Sequence, residues 1–457
     1  MRMLTSLAAA KSVRSLIRIF GGGATAAPGL AAEIIDPKSL AKLSKLFSNT
    51  ILVTGTNGKT TTSRLLGNIL QEAKISFLHN RSGSNLRRGI IGTITEEIGL
   101  LPKLSKKLAL FEVDEAVLST IASETNPKLI IFNNLFRDQL DRYGEVDKLR
   151  KLWQKTLEHL PAATVVVLNS DDHSVAHLGT KTRAKIIYFG IEDQKLSLSK
   201  LPHASDFTSC ISCGKDLLFD AVYLAHLGRY RCPTCGLSRP KPNVYAQEIY
   251  LDATEGFRAK IQTPKGELTL KIPLPGLYNV YNSLAAIAAG LVLGVDLRTI
   301  QTALEKSKAA FGRTEQLEVE GKKLFIALVK NPAGFNEILR TIFRSGEEKL
   351  VLIAINDALA DGQDVSWLWD VDFEVLAGKV RRVIASGTRA HDLALRLKYT
   401  GAGLEVDIEE NLEEALDRAL GRLPFGETLY LLPTYTAMLR LKKILASRGV
   451  GGQFWED

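Results

Sequence analysis

Val53-Thr-Gly-Thr-Asn-Gly-Lys-Thr-Thr-Thr62 is the stretch on which the fold turns. It follows a short apolar strand at 51–54 and opens a segment, 60–72, that reads as a helix. Backbone N–H groups of such a loop can wrap a phosphate, and the helix N-terminus adds partial positive charge. Lys59 can reach terminal phosphates, and the hydroxyl of Thr60 or Thr61 can ligate Mg²⁺. The strict phosphate-loop pattern wants glycine six residues before that lysine. Val53 stands there, and Gly55 supplies the flexibility instead. A plain glycine turn is the alternative, but strand, Gly-Lys-Thr and helix in order argue against it.

Outward from the loop the pattern is α/β. Apolar strands are predicted at 128–132 and 164–169, alternating with helical stretches, which suggests a mostly parallel sheet covered on both faces. Strand signals return at 244–251, 258–262 and 268–272, followed by an Ala-rich helix at 279–293. From about residue 311 a second, smaller α/β unit of Rossmann-like type is expected, with strands at 349–354, 382–385 and 428–432. The expected division is 1–48 as a basic helix and Gly-rich lead-in, 49–310 as a central nucleotide-binding domain and 311–457 as a C-terminal domain. A chain of 457 residues can bury such cores without staples.

Residues 205–245 interrupt the rhythm and hold all four cysteines. Cys210-x₂-Cys213 and Cys232-x₂-Cys235 have the spacing of a zinc ribbon, two knuckles supplying four thiolates to a tetrahedral Zn²⁺. Gly214 and Gly236 follow the knuckles, as tight turns prefer. Two disulfides are the alternative, disfavoured in the reducing compartment expected of an ATP-using chain. A closed Cys₄ site is structural, so no cysteine remains for nucleophilic catalysis.

The formal charge is +9, and residues 1–32 carry +4 of it through Arg2, Lys11, Arg14 and Arg18 with no acid. The remainder favours anionic substrates without making a nucleic-acid signature. Residues 2–20 are basic and amphipathic. A surface helix on the following domain and a helix lying on an anionic membrane are both open readings, and a transit peptide is a third.

Several segments carry a resemblance. GTNGKTTT at 55–62 resembles the loop of the Mur ligase family, ATP-dependent amide-forming enzymes of peptidoglycan synthesis, and of the related folylpolyglutamate synthetases. Asn169-Ser-Asp-Asp172, Gly276-Leu-Tyr-Asn279-Val-Tyr-Asn282, Phe311-Gly-Arg313 and Lys330-Asn-Pro-Ala-Gly334 agree with family segments in the same order. The resemblance implies that Gly55, Thr56, Asn57, Gly58, Lys59, Thr60 and Thr61, with Asn279, Asn282 and Arg313, hold ATP. It also implies that Glu112 of FEVDEA joins Thr60 in holding Mg²⁺, with Lys59 and Glu112 catalytic. The segment from Asn134 to Gly144 is similar to a family segment whose histidine is Gln139 here, a weaker ligand, which leaves a second Mg²⁺ site open. The family places a nucleotide-sugar-binding domain before the loop. A loop arriving at residue 54 leaves no room for one and predicts a different grip on substrate.

NRSGSNL at 80–86, the Cys₄ insertion, KNPAGFNE at 330–337, NDALADGQDVSWLWD at 356–370 and LPTYTAML at 432–439 narrow the resemblance. They are similar to the branch that forms the ligase-like subunit of lipid II isoglutaminyl synthase. This implies amidation of the D-glutamate α-carboxylate of lipid II through an acyl phosphate. Ammonia would come from a GatD-type glutamine amidotransferase partner, whose Cys–His pair needs an acid. Asp364 is the expected acid, with Asp357 and Asp361 behind it. Cytoplasmic location, at the inner face of the membrane if the N-terminal helix touches lipid, follows as an expectation. A stand-alone amino-acid-adding ligase and a zinc-ribbon nucleic-acid NTPase are the rivals.

Overall fold

The structure, a computed structural model, describes residues 2–19, 26–80, 84–99, 103–137, 146–252, 255–307, 313–344 and 348–450. The first nine-stranded sheet comprises β1 (Asn49–Thr54), β2 (Phe77–His79), β3 (Leu108–Glu112), β4 (Leu129–Phe132), β5 (Val165–Asn169), β6 (Lys185–Ile191), β9 (Val244–Asp252), β10 (Gly256–Thr263) and β11 (Gly266–Ile272). β7 (Leu218–Leu224) and β8 (Leu227–Arg231) form a separate hairpin. The order across the sheet is β11-β10-β9-β6-β5-β4-β1-β3-β2, parallel from β2 to β9 and antiparallel beyond.

The apolar runs explain the parallel part. Ile51 and Val53 of β1 point into one core with Leu65, Leu66 and Ile69 of the helix Lys59–Glu72. Leu52 points the other way, into a second core with Phe111, Ile130, Phe132 and Trp153. A strand buried on both faces needs a continuous apolar run rather than alternation. β11 alternates exposed and buried residues, as befits an antiparallel edge with one solvated face.

β1 pairs with β3 on one side and β4 on the other. The connection after β1 runs to the β3 side, and the one after β3 crosses β1 to reach β4, so the crevice at the carboxyl end of β1 is where open α/β sheets bind ligands. The loop 55–58 sits there.

The cysteine insertion leaves the sheet after β6 and returns at β9, which pairs in parallel with β6. A second six-stranded sheet has the order β12-β13-β17-β14-β15-β16, from β12 (Arg313–Val319), β13 (Lys322–Ala327), β14 (Lys349–Ala354), β15 (Val380–Ser386), β16 (Val406–Ile408) and β17 (Thr428–Pro433). Val351 and Ile353 of β14 feed one core and Leu350, Leu352 and Ala354 the other, so this sheet too is covered on both faces.

The N-terminal segment is a helix, Arg2–Ile19. It buries Leu7 and Ala10 in the core that also holds Ile90 and Ile94 of the helix Arg87–Glu97. Arg14 bonds the Gly92 carbonyl at 2.9 Å, and Arg18 pairs with Glu96 at 2.8 Å. Among the described residues, no helix is long and apolar enough to cross a membrane.

Candidate active site

The phosphate loop is shaped by the end of β4. Thr56 donates its amide to the Asn134 carbonyl at 3.0 Å, and Asn57 donates its amide to Asn134 Oδ1 at 2.8 Å. The Thr56 hydroxyl donates to the Phe136 carbonyl and accepts from the Phe136 amide. Gly58 begins the helix with φ +83°, and a Cβ there would lie 2.0 Å from Asn282 Oδ1, so only glycine fits. Asn282 thus sits directly on the loop, and its side chain is fixed by a 3.1 Å bond to Asn279, which in turn donates to the Pro275 carbonyl. Asn133 bridges to the Thr62 hydroxyl at 3.0 Å.

Lys59 is folded back and buried. Its Nζ donates to the carbonyls of Gly55 at 2.7 Å and Thr56 at 3.2 Å and to Glu115 Oε1 at 2.8 Å. Burial works against the ammonium, but Glu115, Glu112 and Asp114 outweigh it and raise its pKa. Burial pushes the Glu115 carboxyl up, opposed by Lys59 and by Lys330 from the second sheet's unit. Glu112, 4% exposed, exchanges backbone bonds with the Asn80 amide, while its carboxylate takes no hydrogen bond from any described residue. A buried carboxylate beside a loop of N–H groups and Thr60 has the chemistry of a hard-cation ligand. The sequence reading passed over Glu115, because nothing in FEVDEA marks which acid meets the lysine.

The second unit closes on this loop. Asn331 caps the helix Pro332–Ile342 by accepting from the Gly334 amide, and its Nδ2 donates to Asn57 Oδ1 at 3.0 Å. Arg137 reaches across to Asp370 at 2.6 Å while its amide bonds Asp206. His203 meets Asp372 at 3.0 Å. Gln139 and the side chain of Arg313 lie outside the described residues, as does most of the segment around Gln139.

The NSDD end of β5 is a buried hub. Asp172 accepts from the Leu135 amide and caps the short helix His173–Ala176. Asp171 receives Arg239 at 2.6 Å and Tyr281 at 2.8 Å.

The cysteines form one cluster, with all four Sγ atoms within 4.8 Å of one another and none in a disulfide. Cys210 and Cys235, and Cys213 and Cys232, stand 3.5 Å apart. Zn–S bonds of about 2.3 Å give tetrahedral edges of about 3.8 Å, so the donor set fits a thiolate-bound metal with little movement. The Cys235 amide draws the Cys232 thiol down to about 6, while at Cys235 the Leu237 amide is outweighed by the neighbouring thiols, Cys210 foremost, which push that thiol up to about 12.

The three C-terminal acids separate. Asp361 is buried and accepts from the Thr436 amide and hydroxyl, tying its loop to β17's end. Asp357 is held low by the Thr388 hydroxyl and by Arg389 at 2.8 Å. Asp364 is exposed and accepts only from Ser366, whose side chain and amide hold its carboxyl below the usual range.

A loop that can wrap phosphate, a buried lysine among carboxylates, and a second α/β unit touching that loop define an α/β ligase-type enzyme. The Mur ligase middle-domain model matches residues 53–290, and the MurT ligase C-terminal model matches 328–438. The chain is 31% identical to the lipid II isoglutaminyl synthase (glutamine-hydrolyzing) subunit MurT of Staphylococcus aureus strain COL, over 99% of this chain and 100% of that one. It is 34% identical to the MurT subunit of Streptococcus pneumoniae strain R6, over 97% of each. A pseudomurein peptide ligase type C from Methanothermus fervidus shares the fold with a TM-score of 0.71 at 24% identity, covering 90% of this chain and 81% of that one. The chain belongs to the Mur ligase family, within its MurT branch.

Proposed function

We propose that this ligase of peptidoglycan synthesis amidates the D-glutamate α-carboxylate of lipid II, giving D-isoglutamine. The observation that carries the reading is the contact of Asn331 with Asn57, which brings the MurT-type C-terminal unit onto the phosphate loop. ATP is the phosphoryl donor, held by Gly55–Thr61, Asn279 and Asn282, with Arg313 at the start of the C-terminal unit that the sequence divides off near residue 311. Lys59 releases its loop carbonyls and Glu115 to meet terminal phosphates, offsetting charge as the phosphoryl group passes to the carboxylate. Glu112 and Thr60 would hold Mg²⁺, which supplies charge neutralisation between two anions that otherwise repel. Ammonia then attacks the acyl carbon of the acyl phosphate, a C–N bond replaces the C–O bond, and phosphate leaves. Cys210, Cys213, Cys232 and Cys235 hold Zn²⁺ as a closed structural site.

Ammonia comes from a GatD-type glutamine amidotransferase subunit, with Asp364 presented to that partner's histidine. Among the three acids, Asp364 alone is exposed and bonded only within its own turn, which supports this choice. The deciding experiment purifies the chain with and without a GatD-type glutamine amidotransferase of the same organism and assays glutamine-dependent amidation of lipid II. Amidation is expected only with the partner present. Activity from the chain alone with a free amino acid would instead favour the stand-alone ligase.

The N-terminal helix has reason to meet the membrane that carries the substrate. Its buried face docks on the domain, while Leu4, Leu16 and Ile19 remain exposed beside basic residues. Removing the helix would also strip Leu7 from the core, so substitution is the cleaner test. Leu16→Glu with Ile19→Glu is expected to lower binding to phosphatidylglycerol vesicles in cosedimentation. Unchanged binding would remove the membrane contact from the reading.

A further inference from the structure

We infer that Arg239 is a positioning residue that ties the metal-binding insertion to the nucleotide-facing helix through Asp171 and Tyr281. The inference rests on the nucleotide reading above and gives the insertion a role within that site.

The chain of contacts is short and buried. Cys232 donates its amide to the Leu237 carbonyl at 2.7 Å, and Gly236 donates to the Cys232 carbonyl, which closes the second knuckle. Arg239 leaves that knuckle directly, with its amide on the Tyr230 carbonyl at 3.0 Å. Its guanidinium then makes three bonds in one fork: to Asp171 Oδ1 at 2.6 Å, Glu192 Oε1 at 2.7 Å and the Ile191 carbonyl at 2.9 Å. The other Asp171 oxygen accepts from Tyr281 at 2.8 Å and from the Ile191 amide at 2.9 Å. The Asp171 carbonyl accepts the Gly228 amide of the insertion's hairpin at 2.9 Å.

Tyr281 lies in the helix Leu277–Val292 between Asn279 and Asn282, the residues on the loop side. Pinning its hydroxyl fixes the rotation of that helix, and so where Asn282 meets Gly58 and Thr62. The packing around the fork leaves no slack. A Cβ on Gly190 would lie 2.3 Å from Ser170 Oγ, 2.5 Å from Asp171 Oδ1 and 2.8 Å from Arg239 Nη2. The Arg239 guanidinium pairs with a fully buried Asp171 and still reaches two further acceptors, because its planar fork presents several donors at once. Thiolate ligation thus holds the turn from which Arg239 departs, and Arg239 holds the carboxylate on which Tyr281 rests.

The test uses the full-length protein carrying its metal and a non-hydrolysable ATP analogue, with affinity read by calorimetry. Tyr281→Phe removes the link and leaves the Arg239–Asp171 pair and the cysteines in place. Both Tyr281→Phe and Arg239→Gln are expected to weaken the analogue by roughly two- to thirtyfold, the scale of coupling along packed networks. Zinc content and circular dichroism should match wild type, and in the complete enzyme KM for ATP should rise while kcat changes little. If Arg239→Gln fails to fold, Tyr281→Phe decides alone. Wild-type affinity in Tyr281→Phe overturns the inference. Wild-type protein that binds no analogue overturns the nucleotide reading, and this one with it.

Discussion

Replacing Lys59 with methionine is expected to lower ATP-dependent amidation by about a hundred- to a thousandfold, the usual loss when one preorganised charge-stabilising group is removed. In the structure Nζ is enclosed by two loop carbonyls and Glu115, all within 3.2 Å. A triphosphate entering the loop supplies stronger acceptors than those carbonyls, so the ammonium needs only a local swing to follow the transferred group. Breaking a buried ion pair ordinarily costs roughly 3–5 kcal/mol, because one charge is left unpaired. Glu115 evades that cost, since burial already pushes its carboxyl up and it takes a proton once Lys59 is gone. Lys59→Met should therefore fold, with a melting temperature near wild type and activity lost. Arginine is no remedy, because a planar guanidinium does not fit among acceptors placed for a compact ammonium. Wild-type turnover of Lys59→Met would mean that the loop lysine is structural.

What the sequence made legible was whatever is local. The run Val53–Thr62 carries its own strand end, turn and helix start, so its place at the carboxyl edge of β1 followed from spacing alone. The cysteines were legible because a tetrahedral thiolate site needs two knuckles, and knuckles have fixed spacing. Buried strands such as β1, β4, β5 and β14 announced themselves as apolar runs, whereas β6 and β13, which begin on lysine at a partly exposed end, were missed and short β2 and β16 carried too few residues to show. Contacts between distant segments were not legible. Asn331 and Asn57 are 274 residues apart, and Arg137 and Asp370 are 233 apart. Each is an ordinary polar residue until the two sheets are brought together. Asp171 and Asp172 were visible as a pattern, but not as a hub that receives an arginine from the cysteine insertion.

Asp364→Asn is expected to abolish glutamine-driven amidation, by about a thousandfold or more, while amidation driven by added ammonium salt persists. An acid that orients a catalytic histidine acts through the tautomer it enforces, and its amide isostere keeps the shape while losing that control. The argument for Asp364 is one of availability. Asp361 spends both carboxylate oxygens on Thr436, and losing them would loosen the loop rather than touch a partner. Asp357 is engaged by Thr388 and Arg389. Asp364 faces solvent, accepts from Ser366 at 2.8 Å and is kept ionised by that turn, so it can receive a second donor without breaking a contact. The ammonium arm separates roles inside the complex, because the phosphoryl chemistry at Lys59 does not depend on how ammonia is produced. Loss of both activities in Asp364→Asn would place the residue in ligase chemistry or folding. Loss of glutamine-driven activity in Asp357→Asn, with Asp364→Asn unaffected, would move the orienting role to Asp357.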